Sequence, residues 1–152
     1  MNISAKDLAR DLMEVAEAAY LTTMNSEGFP ETRAMFNLRR KEQFPQLSAL
    51  FQENRDNFLI YFTTNTSSRK IEQLRGNPNA SVYYCWPGEW RGLNLVGNIE
   101  IVEDWDVKRS LWQDGWEMYY PGGFEDPGYA VIRMQPRFAR YYHQLQMFQI
   151  DF

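Results

Sequence analysis

The chain has 152 residues, enough for one domain with a real core. Hydrophobic residues make up 44% and aromatics 16%, too rich for a disordered chain, and a net charge of −4 argues against a general nucleic-acid binder, which would carry a basic surplus. The one cysteine, Cys85, excludes an intramolecular disulfide, no paired Cys/His spacing points to a metal, and no stretch approaches the ~18 apolar residues of a membrane span.

The first residues, MNISAKDLAR, are charged and carry no apolar segment, so no signal peptide is expected, and the expected compartment is the cytoplasm. Residues 4–18 predict a helix. Ser4 would cap it with Asp7 three positions on, and Leu8, Leu12, Val15 and Ala16 would form one apolar face. Residues 19–25 switch to β-formers, "NSEGFP" reads as a turn with Gly28 free to take a positive φ, and 31–38 return as a second strand of a hairpin. Residues 46–53 suit a short helix, and 57–64, NFLIYFTT, form the most apolar strand. Ser67 to Arg75 predict a helix with Ile71 and Leu74 facing inward, stopped by Gly76 and Pro78. Strands follow at 80–86 and at 92–103, the second with a bulge at Gly97. A helix is expected over 105–118, then a loop, "YPGGFEDPG", and strands at 129–135 and 137–143.

Six or seven strands, mostly joined as hairpins and without regular βαβ alternation, predict a mainly β or α+β domain over residues 1–152. The expected architecture is a mostly antiparallel closed or half-closed barrel with peripheral helices.

One local feature runs against helix electrostatics. The helix after Ser67-Ser68 opens on Arg69 and Lys70, although a helix N-terminus carries about half a positive charge and repels cations by roughly 0.3–1 kcal/mol each. Two readings are open. Ser67 or Ser68 caps the helix and the cations point to water. Alternatively an anion sits there, gripped by exposed N–H groups, the Ser67 and Ser68 hydroxyls, the Arg69 guanidinium and the Lys70 ammonium, an arrangement that suits a phosphate monoester. Neither a GxGxxG nor a Walker sequence accompanies it, which speaks against a Rossmann or P-loop nucleotide site.

Over residues 14–103, and on to about 143, the chain resembles the pyridoxamine 5′-phosphate oxidase-like split-barrel flavoproteins, particularly the small general-stress-protein type. "AAYLTTMNSEGFPETRAMFNL" resembles that family's first hairpin, "LIYFTTNTSSRKIEQLRGNPNASVYYCW" its strand–(Ser-Arg-Lys)–helix–Asn-Pro–strand segment, and "LNLVGNIEIVED" the strand that follows. The resemblance implies a split β-barrel, a homodimer, and FMN bound at the subunit interface. It puts Arg33 in the place of an arginine that contacts the flavin or its phosphate. It lays Arg33, Ala34, Met35, Phe36, Asn37 and Leu38 along the isoalloxazine, Thr63 and Thr64 beside the ribityl chain, and Ser68, Arg69 and Lys70 on the phosphate. Three features depart from the oxidases themselves: Leu38 stands where they have a lysine, Gly92 where they have a flavin-contacting glutamine, and their C-terminal arginine-containing substrate motif is missing. A flavin oxidoreductase that does not act on pyridoxamine phosphate is the implied function. Its rivals are a flavin-binding storage or stress protein without turnover, and the same barrel holding a deazaflavin or a heme, for which His143 is the only histidine.

No side chain is assigned as a catalytic acid, base or nucleophile. Cys85 reads as a buried, inert thiol. Trp86, Trp112 and Trp116 are candidates to stack near a planar ring. Glu103-Asp104 and Glu125-Asp126 read as solvated acids, and Arg39-Arg40-Lys41 as exposed surface or the guard of a pocket mouth.

Overall fold

Alternating burial along the strands shapes the molecule. The structure is a computed structural model that describes residues 3–152. Those residues form seven strands and four α-helices: α1 (Ala5–Val15), β1 (Ala18–Met24), β2 (Pro30–Phe36), α2 (Ser48–Glu53), β3 (Ile60–Asn65), α3 (Arg69–Gly76), β4 (Asn79–Trp86), β5 (Arg91–Val102), α4 (Trp105–Leu111), β6 (Tyr129–His143) and β7 (Gln146–Asp151). In β1, Ala19, Leu21 and Thr23 are buried while Tyr20 between them is exposed, the period-2 pattern of a sheet with one packed face.

All strand pairings are antiparallel, in the order β2-β1-β4-β5-β6-β3, with β7 also on β6. β2 and β3 are the two ends of this path and do not pair with each other. The sheet therefore curls into a half-barrel with a seam between those edges, as a split barrel does.

The concave side holds the main core, with Leu21, Phe62, Val82, Leu93, Leu95 and Ile132 from the sheet. α1 adds Leu12 and Met13, and α3 adds Ile71 and Leu74. Ser4 caps α1 as expected: its Oγ accepts from the Asp7 N–H at 3.1 Å and donates to the Asp7 carboxylate at 2.7 Å. The buried side of α1 is Ala9, Leu12 and Met13, whereas Val15 is exposed because the helix ends there and Ala16 turns extended. A second core lies against the outer side of β3 and β6. Tyr61, Tyr129 and Val131 there meet Leu38, Phe44, Leu47 and Phe51 from the segment after β2, and Leu111 from α4.

Three elements differ from the sequence reading. The strands expected at 129–135 and 137–143 are one strand, β6. Pro136 interrupts nothing because it sits at a bulge: Gly97 pairs with Pro136 and Val96 with Phe138, leaving Arg137 as the extra residue. Gly97 is required there, since a Cβ would come within 2.8 Å of the Gln135 carbonyl oxygen. The helix expected over 105–118 stops at Leu111. Asp104 caps its start by accepting from the Asp106 N–H at 2.8 Å, and Gly115 at φ +94 turns the chain away. β7 had no sequence signal. Its turn residues, Gln144 and Leu145, both adopt positive φ (52° and 62°) without the Asn or Gly that usually marks such a turn. Gly28 takes φ +86, as the first hairpin demands.

A candidate anion site at the barrel seam

Among the described residues, two cations at the seam make no ion pair within 4.0 Å. On β2, Arg33 points inward. Its Nη1 donates to Thr23 Oγ1 at 2.7 Å and to the Glu31 and Leu21 carbonyls at 3.0 and 3.2 Å, and its Nη2 to Gln73 Oε1 at 3.3 Å. At the first turn of α3, Lys70 Nζ donates to Thr64 Oγ1 at 3.0 Å. Among the described residues no carboxylate lies within 4.0 Å of either cation. Burial holds both below their usual pKa, and the charge of Arg33 lowers Lys70 further.

Ser68 occupies the cap position of α3 with the extended backbone of a cap (φ −72, ψ 152), yet its side chain makes no capping bond. Its Oγ is buried and has no hydrogen-bond partner among the described residues. Ser67 is exposed and bound to its own turn, its N–H and Oγ both on Asn65 Oδ1 at 3.1 and 3.0 Å. Neither serine side chain therefore caps the helix. A buried hydroxyl left unpaired costs about 1–3 kcal/mol, so a missing acceptor at that spot is the simplest account of Ser68.

Arg69 behaves differently. It is exposed, and its Nη2 meets both Glu31 oxygens at 3.2 and 3.1 Å. Glu31 also accepts from Asn25 Nδ2 at 3.0 Å and from Gln73 Nε2 at 3.1 Å. The Asn25 bond chiefly, then Gln73 and Arg69, hold its carboxyl below the ordinary value. Sequence reasoning missed Glu31 altogether. The available signal was its place two residues before Arg33, on the same face of β2. The cluster thus combines three cations, one carboxylate and one spare hydroxyl.

Two open spaces flank it. A groove of about 690 Å³ runs past Arg69 and Gln73, bordered also by Asn25 and Asn77. A pocket of about 290 Å³ is walled by Phe36, Thr63, Asn65, Trp116, Tyr119 and Tyr120. There Phe36 and Trp116 lie nearly parallel, 6.4 Å apart at 11°. Thr63 faces this aromatic pocket while Thr64 receives Lys70, so the end of β3 serves both sides of the seam.

The rest of the β2 segment divides. Ala34 is on the outer face, paired with Tyr20, and Met35 packs against the main core. Asn37 is buried and donates to the Met13 and Ala16 carbonyls at 2.7 and 2.9 Å, pinning the strand end to α1. Leu38 is buried in the second core.

Other candidates lie elsewhere. Trp112 meets Tyr129 edge-on at 5.2 Å, and Trp86 is exposed beside the half-buried Cys85 on the outer sheet face. His143 stands twelve residues along β6 from Val131, the partner of Thr63 (131 to 143). The acids expected to be solvated include two with structural work: Asp104 caps α4, and Asp126 accepts from the Gly122 and Gly128 N–H groups at 2.8 Å each. Arg39, expected either on the surface or at a pocket mouth, is only 4% exposed and, with Lys41, lines a pocket. Among the described residues there is no group of three or more His, Cys, Asp or Glu side chains that could hold a metal, and no helix long and apolar enough to cross a membrane.

The profile of a family described as "Pyridoxamine 5'-phosphate oxidase" matches residues 5–143. A pyridoxine/pyridoxamine 5′-phosphate oxidase of Leptospira interrogans is 26% identical over 145 residues, 93% of this chain; the chain spans 60% of the length of that curated relative. Among solved structures, a Clostridium acetobutylicum protein related to general stress protein 26 of B. subtilis is 30% identical, with 98% of this chain and 96% of that one covered and a TM-score of 0.76. A heme binding protein from Mycobacterium smegmatis (15% identity, TM-score 0.71, 99% and 59% covered) shares the fold. So does a pyridoxamine 5′-phosphate oxidase-related, FMN binding protein from Nostoc punctiforme (16%, 0.60, 97% and 92%).

Proposed function

Since the chain belongs to the pyridoxamine 5′-phosphate oxidase family, we propose that it is an FMN-binding flavoprotein, one split-barrel domain acting as an oxidoreductase in the cytoplasm. The observation that carries this reading is the buried Ser68 hydroxyl, without a hydrogen-bond partner among the described residues, set beside two cations that make no ion pair with any of them. A phosphate monoester supplies what that corner lacks. Its oxygens would accept from Ser68, Lys70 and Arg33, and Arg69 would join by leaving Glu31. The fold shared with the FMN binding protein from Nostoc punctiforme supports the choice of cofactor.

When bound, FMN supplies the electron-transfer chemistry. The chain's own residues orient and shield it. Thr63 and the aromatic wall of Phe36 and Trp116 offer an apolar side for a flat ring system, and the cations neutralise the phosphate. Pyridoxamine phosphate is not the proposed substrate. Leu38 and Gly92 replace the lysine and glutamine that the resemblance leads one to expect, and Tyr83 covers Gly92 so closely that a side chain there would collide with its phenol.

A homodimer belongs to the same proposal. The outer face of the β2-β1-β4 sheet carries Tyr20, Phe36 and Tyr83 at 37%, 49% and 42% exposure, with Trp86 at its end. A second copy laid on that face would bury these rings, the usual fate of such a patch.

The heme alternative has one observation in its favour, the shared fold with the Mycobacterium smegmatis protein. Against it stands His143, the sole histidine, at the end of β6 away from the β3 partners. Absorption spectroscopy of the freshly purified protein, with the mass of any molecule released on denaturation, separates flavin, deazaflavin and heme. Anaerobic mixing of the FMN-loaded protein with NAD(P)H then separates an oxidoreductase from a store. A flavin that resists reduction on the timescale of turnover leaves the storage reading.

A further inference from the structure

Among the described residues, Arg39 is a buried cation with no carboxylate within ion-pair distance, although the Glu14 charge acts on it from further off. Only 4% of the residue is exposed. Its Nε and Nη2 donate to the Leu59 carbonyl at 3.1 and 2.6 Å, and Nη2 reaches the Asn54 carbonyl at 3.4 Å. The guanidinium carbon lies 4.7 Å from the centre of the Phe51 ring. Every one of these partners is neutral. Nη1 donates to none of the described residues, and no carboxylate among them stands within 4.0 Å. Buried charges are ordinarily paired, because carbonyl dipoles and a ring face replace only part of lost hydration. Burial lowers the Arg39 pKa to about 10, which agrees with that shortfall.

The same side chain lines a pocket of about 250 Å³ between the end of α1, the turn after β2, and α2. Its walls include Leu38, Phe44 and Phe51. Glu14 and Lys41 also line it, joined by an ion pair of 2.9 Å. Two cations against one carboxylate leave the pocket one positive charge in excess. Its hydrocarbon walls ask for carbon, and its single spare charge asks for a monoanion, so inorganic phosphate is a poor match.

We propose that this pocket binds a small monocarboxylate with an apolar body, its carboxylate on the free Nη1 edge of Arg39 and its body against Leu38, Phe44 and Phe51. Lys41 can turn from Glu14 to meet the same carboxylate. The site is separate from the seam cluster and does not depend on the flavin reading.

The test uses the full chain and benzoate as probe, with benzyl alcohol as the uncharged counterpart and inorganic phosphate as the charge control. The binding is read by calorimetry and by the Arg39 Nε–H signal in NMR. Saturable benzoate binding that shifts that signal is expected, with benzyl alcohol and phosphate at least about tenfold weaker, the loss that follows from one missing charge-assisted contact. Arg39→Met removes the cation and can fail to fold. Ala49→Trp, on the exposed lip of the pocket, keeps Arg39 and fills the space; it is expected to preserve the circular dichroism spectrum and lower benzoate affinity at least about tenfold. Absence of saturable benzoate binding up to about 10 mM, equal binding of benzyl alcohol, or unchanged affinity in Ala49→Trp overturns the proposal.

Discussion

Lys70 and Thr64 share one hydrogen bond, 3.0 Å from Nζ to Oγ1, and among the described residues it is the only one that this ammonium makes. A half-buried lysine held by a neutral hydroxyl, with Arg33 nearby lowering its pKa further, is an incomplete site. Lys70→Ala should weaken FMN binding by about 1.5–3 kcal/mol, the range for a charge-assisted contact, and Ser68→Ala by about 0.5–1.5 kcal/mol. Both should leave the thermal unfolding midpoint no lower, because neither side chain makes a strong contact without the phosphate. Quenching of flavin fluorescence on titration of the apo-protein measures the affinities.

Glu31 already holds Arg69, so it competes with any phosphate for that guanidinium. Glu31→Gln should therefore tighten FMN binding, and the gain should vanish when Arg69→Ala is added. The same titration reads it. Weaker binding in Glu31→Gln would mean that the carboxylate positions Arg69 for the ligand and does not oppose it.

Tyr84 is fully buried, and burial raises its pKa well above the ordinary 10.0. The folded state keeps a proton that the unfolded state releases, so this contribution to stability is intact below about pH 10 and lost as pH rises through the folded value. Arg39, its pKa lowered to about 10, works in the opposite sense. Comparison with Tyr84→Phe isolates the tyrosine. Between pH 10 and 11, where the unfolded tyrosine goes from half to mostly ionised, wild type should lose about 1 kcal/mol relative to the variant, measured by urea unfolding.

Gly97→Ala should destabilise the fold by about 1–3 kcal/mol, since the new methyl meets the Gln135 carbonyl oxygen at 2.8 Å, a backbone atom that cannot turn aside as the Met134 side chain at 3.3 Å can. Denaturant midpoints measure it. Gly76→Ala is the control: a Cβ there meets nothing within 4 Å, and its effect should be neutral or stabilising.

The sheet and its order of elements were legible because the patterns that carry them are local. Alternation in Ala19 to Thr23, the Gly28 turn and the Gly97 bulge each state a strand or a break in a few residues. β7 was illegible because Gln144 and Leu145 adopt a turn that their side chains do not advertise. At the site, Ser68, Arg69 and Lys70 stood out by their charge at a helix start. The anion that meets Arg69 comes from β2, thirty-eight positions earlier (69 − 31), and only the fold brings it there. Arg39 shows the same limit. A run of three basic residues looks solvated, yet the chain turns its first member beneath Phe51.

The central claim is that the seam recognises a phosphate. Parallel titration of the apo-protein with FMN and with riboflavin, which differ only in that group, tests it most directly, in wild type and in an Arg33→Gln/Lys70→Met variant of unchanged circular dichroism. FMN should bind wild type at least about tenfold more tightly, a difference of about 1.4 kcal/mol or more, and the preference should collapse in the variant. Equal affinities in wild type, or a preference that survives the loss of both cations, would contradict it.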